Sequence, residues 1–455
     1  MAKKTKSSNL SIDERLEQAL ISEENEPYTL PDNWCWIRLG SINNYAGRSV
    51  DPASTPSDIF ELYSVPSSAD NYPEIVAGDE IGSTKQAVEK EDVLLCKINP
   101  RINRVWKVAK HTEYALLASS EWIIIRNKGI VSDYLMWCLR SPYFREFMLS
   151  NVSGIGGSLM RAQPKHVHNY PIPLPPTSEQ RRIVEKLESL FAKLDEAKEK
   201  AQEVVDGFET RKSAILHKAF SGELTEKWRA QQGLSDLWKA QKLSDVAHLQ
   251  TGLMKGKKYD GDTVFMPYLR VANVQDGYLD LNEIKTIKVA TANYERYLLR
   301  KGDVLFTEGG DYDKLGRGTV WNDEIPNCLH QNHIFVVRVD TNCLMPAFLS
   351  YQAGSQYGKK YFMSCAKQTT NLASINSTQL KNFPVMIPTL DEQQEIVRIL
   401  DSVLAKEKQA KEAAEAVLEQ IDRQKRAILS LAFRGELGTN DPAEESAVEL
   451  LKRII

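Results

Sequence analysis

The 455-residue chain has six cysteines (Cys35, Cys96, Cys138, Cys328, Cys343, Cys365) but no CxxC pair and no metal-ligand spacing. A disulfide framework and a structural zinc site are therefore excluded as organising features, and a reduced, cytoplasmic protein is the economical expectation. Nucleotide signatures are missing as well: there is no GxGxxG or GxxxxGK[ST], and Gly154, Gly156 and Gly157 read as a turn rather than a phosphate cradle. His166 and His168 form an HxH pair with no third ligand nearby, and Asn99-Pro100 lacks the aromatic tetrapeptide that amino-methyltransferases use. No apolar run approaches the length of a membrane span. The basic, polar start from Met1 to Ser8 is followed by no apolar core, so no secretory signal is expected. Charge is nearly balanced, at −3 overall, which by itself argues weakly against a nucleic-acid partner.

What the chain has instead is a duplicated segment. Tyr170 to Leu224 reappears as Phe383 to Leu437 at a constant offset of 213 residues, ungapped, with 24 of 55 positions identical. Each copy opens on a proline-punctuated run, Tyr170-Pro171-Ile172-Pro173-Leu174-Pro175 or Phe383-Pro384-Val385-Met386-Ile387-Pro388. Proline disfavours helix in the residue before it, so both runs are predicted to be extended. Ser178 and Asp391 share a repeat position that suits an N-cap, and Glu179-Gln180 and Glu392-Gln393 put an acid in the first turn, where the helix dipole favours it. Apolar residues follow at heptad spacing: Ile183, Leu187, Leu190, Leu194, Ala197, Ala201, Val204, Phe208 and Ile215, then Ile396, Leu400, Val403, Ala410, Ala414, Val417, Ile421 and Ile428. Both copies end in Ala-Phe-x-Gly-Glu-Leu, with Gly222 and Gly435 placed as left-handed caps.

A helix from Ser178 to about Phe220 would be roughly 60 Å long and could not bury its stripe alone. Two such helices satisfy each other by pairing, with the alanines at mid-length allowing close approach, and an antiparallel pair is predicted. Glu407 stands where the first copy has Leu194, a polar intrusion that fixes register or opens the seam. Taken singly, a heptad run is more often a packed core helix; found twice in register, it favours a spacer.

Ahead of each helix lies a region rich in Val, Ile, Tyr, Phe and Trp and broken by Gly, Pro, Asn and Asp, which reads as mainly strands with short helices. The two regions share a scaffold more loosely. Each has a tryptophan-containing entry (Trp34, Trp36; Trp238) and an acid before an apolar strand (Asp92-Val93-Leu94-Leu95; Asp303-Val304-Leu305-Phe306). Trp122 to Arg126 matches His333 to Arg338 as a buried strand, and Tyr134-Leu135 with Ser141-x-Tyr143 matches Phe348-Leu349 with Ser355-x-Tyr357 as a short helix. A small-polar loop recurs, Gly156-Gly157-Ser158 and Thr369-Thr370-Asn371.

Charge distribution is more informative than net charge. Lys97 to Lys110 holds five basic residues (Lys97, Arg101, Arg104, Lys107, Lys110), no acid and an interleaved Trp106. The second region carries Lys255, Lys257 and Lys258, then Arg296, Arg300 and Lys301, then Lys314 and Arg317. Such clusters neutralise phosphates, although any one of them is as readily a solvated loop. His330 and His333 flank Gln331-Asn332, either as a polar reading edge or as strand-end residues bonded to the scaffold. Residues 1 to about 10 and Gly438 to Glu445 are expected to be mobile.

Two variable, mainly-β regions, each followed by a long helix that begins Pro-x-x-x-Glu-Gln-x-x-Ile-Val and ends Ala-Phe-x-Gly-Glu-Leu, resemble the specificity subunit of type I restriction-modification enzymes. The resemblance covers nearly the whole chain. It implies an α+β protein with two mainly-β target-recognition domains and short helices, separated by two long helices forming an antiparallel coiled coil. The boundaries expected are an N-terminal arm (1–30), recognition domain 1 (31–176), spacer helix 1 (177–221), a linker (222–235), recognition domain 2 (236–389), spacer helix 2 (390–434) and a C-terminal tail (435–455).

The resemblance also implies a non-catalytic subunit that reads a bipartite, asymmetric site on double-stranded DNA. It would direct two methyltransferase subunits and the restriction-translocase subunits, with no membrane partner. No cofactor is expected on this chain; S-adenosylmethionine, ATP and Mg belong to the partners. The DNA-binding residues expected are Lys97, Arg101, Arg104, Lys107, Gly156, Gly157, Ser158 and Arg161 in the first domain. In the second they are Lys255, Lys257, Lys258, Lys314, Arg317, Thr369, Thr370 and Asn371. Two other classes compete. A two-domain scaffold with a coiled-coil spacer would show no salt-dependent DNA binding, and a self-sufficient modification enzyme would need a cofactor loop that is not found.

Overall fold

A computed structural model describes residues 10–153, 160–234, 238–254, 261–292, 294–310, 315–316, 318–368 and 373–455. The chain divides into two compact units, Met1–Ala201 with Ala416–Ile455, and Gln202–Glu415. Each is a mixture of helices and sheets.

In unit 1, β1 (Val93–Cys96) is the central strand of a three-stranded sheet, between Val105–Lys107 and β2 (Trp122–Ile125). Both strands are buried along their whole length, which explains their continuous apolar runs. Val93, Leu95, Ile123 and Ile125 face the helices Ser132–Arg140 and Pro142–Ser150, while Leu94, Cys96 and Ile124 face a cluster built on Tyr63, Trp106 and Trp122. The single short helix expected here is two, because the Ser141 hydroxyl accepts the Phe144 amide (3.2 Å) and caps a new helix. Beyond this lies a five-stranded sheet, in the order Ser49–Val50, Lys85–Ala87, Ala115–Ala118, Ile59–Tyr63, Glu74–Ala77. The proline-punctuated run is extended as predicted: Pro171–Leu174 pairs antiparallel with Cys35–Arg38.

From this strand the chain turns into α1 (Thr177–Asp206), then α2 (Phe208–Phe220) and α3 (Glu226–Gln231). Unit 2 repeats the scaffold. β3 (Val304–Thr307) and β4 (Ile334–Val339) are central in a four-stranded sheet flanked by Ala247–Thr251 and Gly318–Val320. Two helices again follow, Pro346–Gly354 and Gln356–Cys365, with Ser355 capping the second. Pro384–Ile387 pairs antiparallel with Lys239–Lys242 and leads into α4 (Leu390–Phe433).

The acid before each apolar strand is structural. Asp92 accepts two bonds from the Arg126 guanidinium (2.8 and 2.7 Å) and one from the Glu89 amide (2.8 Å). Asp303 does the same with Arg338 (2.8 and 3.1 Å) and the Arg300 amide (2.8 Å). A buried carboxylate needs such partners.

The Glu-Gln signature is likewise a clamp. Gln180 accepts the Val131 amide (2.8 Å) and donates to the Pro175 carbonyl (2.9 Å), tying the start of α1 to the loop that enters Ser132–Arg140. Gln393 accepts the Met345 amide (2.8 Å) and donates to the Cys343 (2.8 Å) and Pro388 (3.0 Å) carbonyls. Buried Glu179 takes Arg182 (2.5 Å) and the Thr439 hydroxyl (2.7 Å); buried Glu392 takes Arg229 (2.6 Å), the Thr225 hydroxyl (2.7 Å) and the Trp238 indole (3.3 Å). Thr225 and Thr439 follow the Gly-Glu-Leu ends, where Gly222 (φ +85°) and Gly435 (φ +74°) are left-handed as predicted.

Within each unit the start of one long helix lies beside the end of the other and runs in the opposite direction. In unit 1 Lys425 bonds Asp195 and lies 5.3 Å from the Phe191 ring centre, while Arg182 reaches Glu444 (2.8 Å). Leu429, Ala432 and Phe433 join Ile183, Leu187 and Phe191 in one core. In unit 2 Arg211 pairs with Glu407 (2.7 Å), Lys411 lies 5.1 Å from the Phe208 ring centre, and Leu216 and Ala219 share a core with Ile396 and Leu400.

Four expectations are corrected. The helices start at Thr177 and Leu390, so Ser178 and Asp391 lie inside the first turn; the Thr389 hydroxyl, three residues before Glu392, accepts its amide (3.4 Å) and does the capping. The first helix is not continuous over 177–221 but breaks at Gly207. A Cβ there would meet Arg211 Nη1 at 2.3 Å, and the same guanidinium caps the Val204 carbonyl (2.9 Å) while holding Glu407, so the break makes room for the cation that answers the seam's odd acid. The segment 222–235 is more than a linker, since α3 carries Arg229 to Glu392. The 438–445 stretch is held by Thr439, Glu444 and an Asn33 bond to the Asp441 carbonyl (3.0 Å), and leads into a helix, Ala447–Ile454. The expected mobility of residues 1–9 falls outside the described residues.

Removing Arg229 would strand a buried carboxylate. Arg229→Ala is expected to lower unfolding free energy by about 3 kcal/mol, whereas Arg398→Ala, which breaks the exposed Arg398–Glu395 pair, should leave it nearly unchanged. Urea denaturation of the two variants checks this difference.

Candidate nucleic-acid interface

In unit 1 the loop leaving β1 and a hairpin formed by Val152–Ser153 and Arg161–Ala162 meet at one end of the sheet. Ala162 donates to the Lys97 carbonyl (2.9 Å), Asn99 donates to the Met160 carbonyl (2.8 Å), and Ile98 bridges Arg161. The loop is shaped by Asn99 (φ +49°) and Asn103 (φ +52°), a residue type that tolerates the left-handed region. Its side chains then divide. Lys97 Nζ donates to the Ser120 carbonyl (2.7 Å), and Arg161 forks onto Glu121 (3.1 and 3.2 Å) at an exposed site. Arg101 is exposed, with its carbonyl held by Arg145. Arg104 is half-buried beside Cys96, whose thiol is pushed up by burial and drawn back in part by that guanidinium.

Two members of the basic run turn inward. Lys107 is committed to Asp133 (2.7 Å) and lies 3.8 Å from Glu91, and Trp106 is buried with its ring 4.6 Å from that of Tyr63, so it offers no face for stacking.

Unit 2 builds the same junction. Glu308, the residue after β3, donates its amide to the His333 carbonyl (2.9 Å) and accepts the Ile375 amide (2.8 Å). Gly309–Gly310 then pairs with Ala373–Ser374 of the hairpin that also contains Lys367–Gln368. A third segment joins: Leu253 donates to the His330 carbonyl (2.8 Å) and accepts from Asn332 (2.9 Å). Gly252 is required for this approach, because a Cβ there would stand 2.3 Å from the His330 carbonyl oxygen. The two histidines separate: His330 is buried, with Nδ1 3.1 Å from the Tyr297 carbonyl, while His333 is exposed and paired with Glu308.

Gly156, Gly157, Ser158, Lys255, Lys257, Lys258, Lys314, Arg317, Thr369, Thr370 and Asn371 lie outside the described residues. The described residues that flank them are the ones brought together at these junctions. Sequence reading missed Glu121, which is held by Arg161, and Glu308, which pairs with His333; only the match of strand β1 to β3 and β2 to β4 picks them out. Among the described residues no group of three His, Cys, Asp or Glu is placed to hold a metal ion, and no helix is long and apolar enough to cross a membrane.

Comparison with known proteins agrees with this architecture. Residues 235–420 match the family model described as type I restriction modification DNA specificity domain. The chain is 27% identical over 382 residues to the type I restriction enzyme EcoKI specificity subunit of Escherichia coli (strain K12), covering 81% of each. Its fold resembles that of the HsdS subunit from Thermoanaerobacter tengcongensis (TM-score 0.61, 23% identity, 90% of this chain and 99% of that one). A chain from a structure describing complex assembly and conformational transition of the type I R-M system gives a TM-score of 0.68 at 22% identity, covering 90% of this chain and 100% of that one. Residues 235–420 thus match a type I restriction modification DNA specificity domain, and most of the chain is similar to specificity subunits of type I restriction enzymes.

Burial lowers His330 to about 4 from an ordinary value near 6.5, so the folded state holds it neutral. The stabilisation is complete above the unfolded value and is lost as pH falls from about 6.5 toward 4. Through this residue stability should drop by about 2 kcal/mol between pH 7 and pH 5, and His330→Gln should lack that share. Urea titrations at the two pH values measure it.

Proposed function

We propose that this chain reads a bipartite, asymmetric sequence on double-stranded DNA and directs two methyltransferase subunits and the restriction-translocase subunits to it. One observation carries the reading. Each unit ends its central sheet in the same junction of a strand-end loop and a hairpin, yet the side chains presented differ: Lys97, Arg101, Arg104, Glu121 and Arg161 in one, Glu308, His333 and Ser374 in the other. A shared scaffold with dissimilar tips suits two readers of two different half-sites.

The long helices serve as the spacer, an antiparallel coiled coil in this reading, supported by the Asp195–Lys425 and Arg211–Glu407 pairs found within the separate units. Half-sites read in the major groove recur at about 34 Å, one turn of duplex. S-adenosylmethionine, ATP and Mg are placed on the partner subunits, and the assembly in the cytoplasm.

Two experiments test this. Seven residues inserted at matched positions of α1 and α4 should lengthen the gap between half-sites while leaving both half-sites unchanged; an unaltered recognition sequence contradicts the spacer role. Replacing Arg101 and Arg104 by alanine should weaken binding at one half-site and reduce the slope of log affinity against log salt by about 2. Unaltered affinity across several salt concentrations contradicts the interface, and absence of any salt-dependent DNA binding by the full assembly would favour a scaffold.

A further inference from the structure

The two junctions superpose residue by residue through their ladders. Cys96 faces Trp122 across β1 and β2, as Thr307 faces Ile334 across β3 and β4. One residue further on, the Lys97 amide bonds the Glu121 carbonyl (3.0 Å), and the Glu308 amide bonds the His333 carbonyl (2.9 Å). On the hairpin side, the Lys97 carbonyl accepts from Ala162 (2.9 Å) and the Glu308 carbonyl from Ile375 (2.8 Å). Lys97 is therefore equivalent to Glu308, Glu121 to His333, and Arg161 to Ser374.

Charge reverses between these equivalent positions. Unit 1 surrounds one carboxylate, Glu121, with the Arg161 fork and the nearby Lys97, leaving the site cationic. Unit 2 puts a carboxylate where the lysine was, and a serine where the arginine was, so Glu308 meets only the imidazole of His333 among the described residues. His333 Nδ1 faces that carboxylate, and Asn332 Nδ2 stands 3.4 Å from Nε2. Backbone bonds on both sides of Glu308 root it in the sheet, and this side-chain chain of Asn332, His333 and Glu308 orients its head.

A carboxylate on a surface that meets DNA is repelled by phosphate, so it cannot be a backbone contact. It is acceptor-only, which matches the exocyclic amino groups of cytosine N4 and adenine N6 in the major groove. Resting on the DNA-reading function above, we infer that Glu308 determines specificity in unit 2 by accepting a hydrogen bond from such an amino group, with His333 as its positioning residue. The equivalent site of unit 1 selects the opposite edge, an acceptor such as guanine O6 or N7, by its cationic side chains.

The test uses the full chain with its partner methyltransferase and a duplex library randomised in both half-sites. Glu308→Gln should reduce discrimination at one base position by at least about fivefold, in one half-site only. Selection at the other half-site, retained in the same molecules, shows that the variant is folded. His333→Asn should relax the same position, because a positioning residue acts through the carboxylate. Wild-type base preference in Glu308→Gln, or an equal loss of affinity for every sequence, overturns the inference while leaving DNA reading intact. If the wild-type assembly selects no bipartite sequence, DNA reading itself fails and this inference fails with it.

Discussion

Two buried carboxylates at the first turns of two long helices, Glu179 and Glu392, govern how this chain closes on itself. Each is answered from the segment that follows the other helix's Gly-Glu-Leu end: Thr439 for Glu179, with Arg182 beside it, and Thr225 with Arg229 for Glu392. A carboxylate out of water tolerates no loss of these partners. Satisfying it therefore fixes which helix end lies beside which helix start, and hence the antiparallel sense within each unit. The neighbouring glutamines, Gln180 and Gln393, tie the same first turns to the sheet-covering helices. Four side chains from a duplicated dipeptide thus join helix to helix and helix to sheet.

The sheets repeat this economy. Asp92–Arg126 and Asp303–Arg338 hold the entry of the central strand in each unit, and apolar strands buried on both faces leave only the strand ends free to vary. The strand ends do differ: a loop with two left-handed asparagines in one unit, a Gly-Gly strand end in the other, and the outer sheets differ as well, five-stranded in unit 1 and three-stranded in unit 2. A shared central sheet can carry dissimilar loops and outer sheets without altering how that sheet folds. This difference is what supports the proposal that the two units read different half-sites.

Much of this was legible in the sequence because it rests on local patterns. The proline-punctuated strands, the terminal left-handed glycines and the acid before each apolar strand follow from residue type and spacing, and the duplication made each visible twice; of the heptad stripe, Ala201 and Ala414 are buried but Ala197, Ala410 and Val417 are exposed. The break at Gly207 was not legible, since it depends on Arg211 reaching both Val204 and Glu407 from a neighbouring helix. The fates of Trp106 and Lys107 were hidden for a similar reason. In a strand, alternate residues face opposite ways, and only the partner strands and helices decide that Trp106 packs on Tyr63 and Lys107 on Asp133. The basic clusters expected in unit 2 lie outside the described residues, and Glu121 and Glu308 stand out only once the two ladders are placed in register.

The central claim is that two dissimilar readers on one duplicated frame select one split sequence. Sequencing the methylated positions in DNA from a host that carries this chain and its partner methyltransferase tests it most directly. The account predicts a single motif of two unlike half-sites separated by a gap of constant length. One continuous motif, two identical half-sites, or methylation that does not depend on this chain would contradict it.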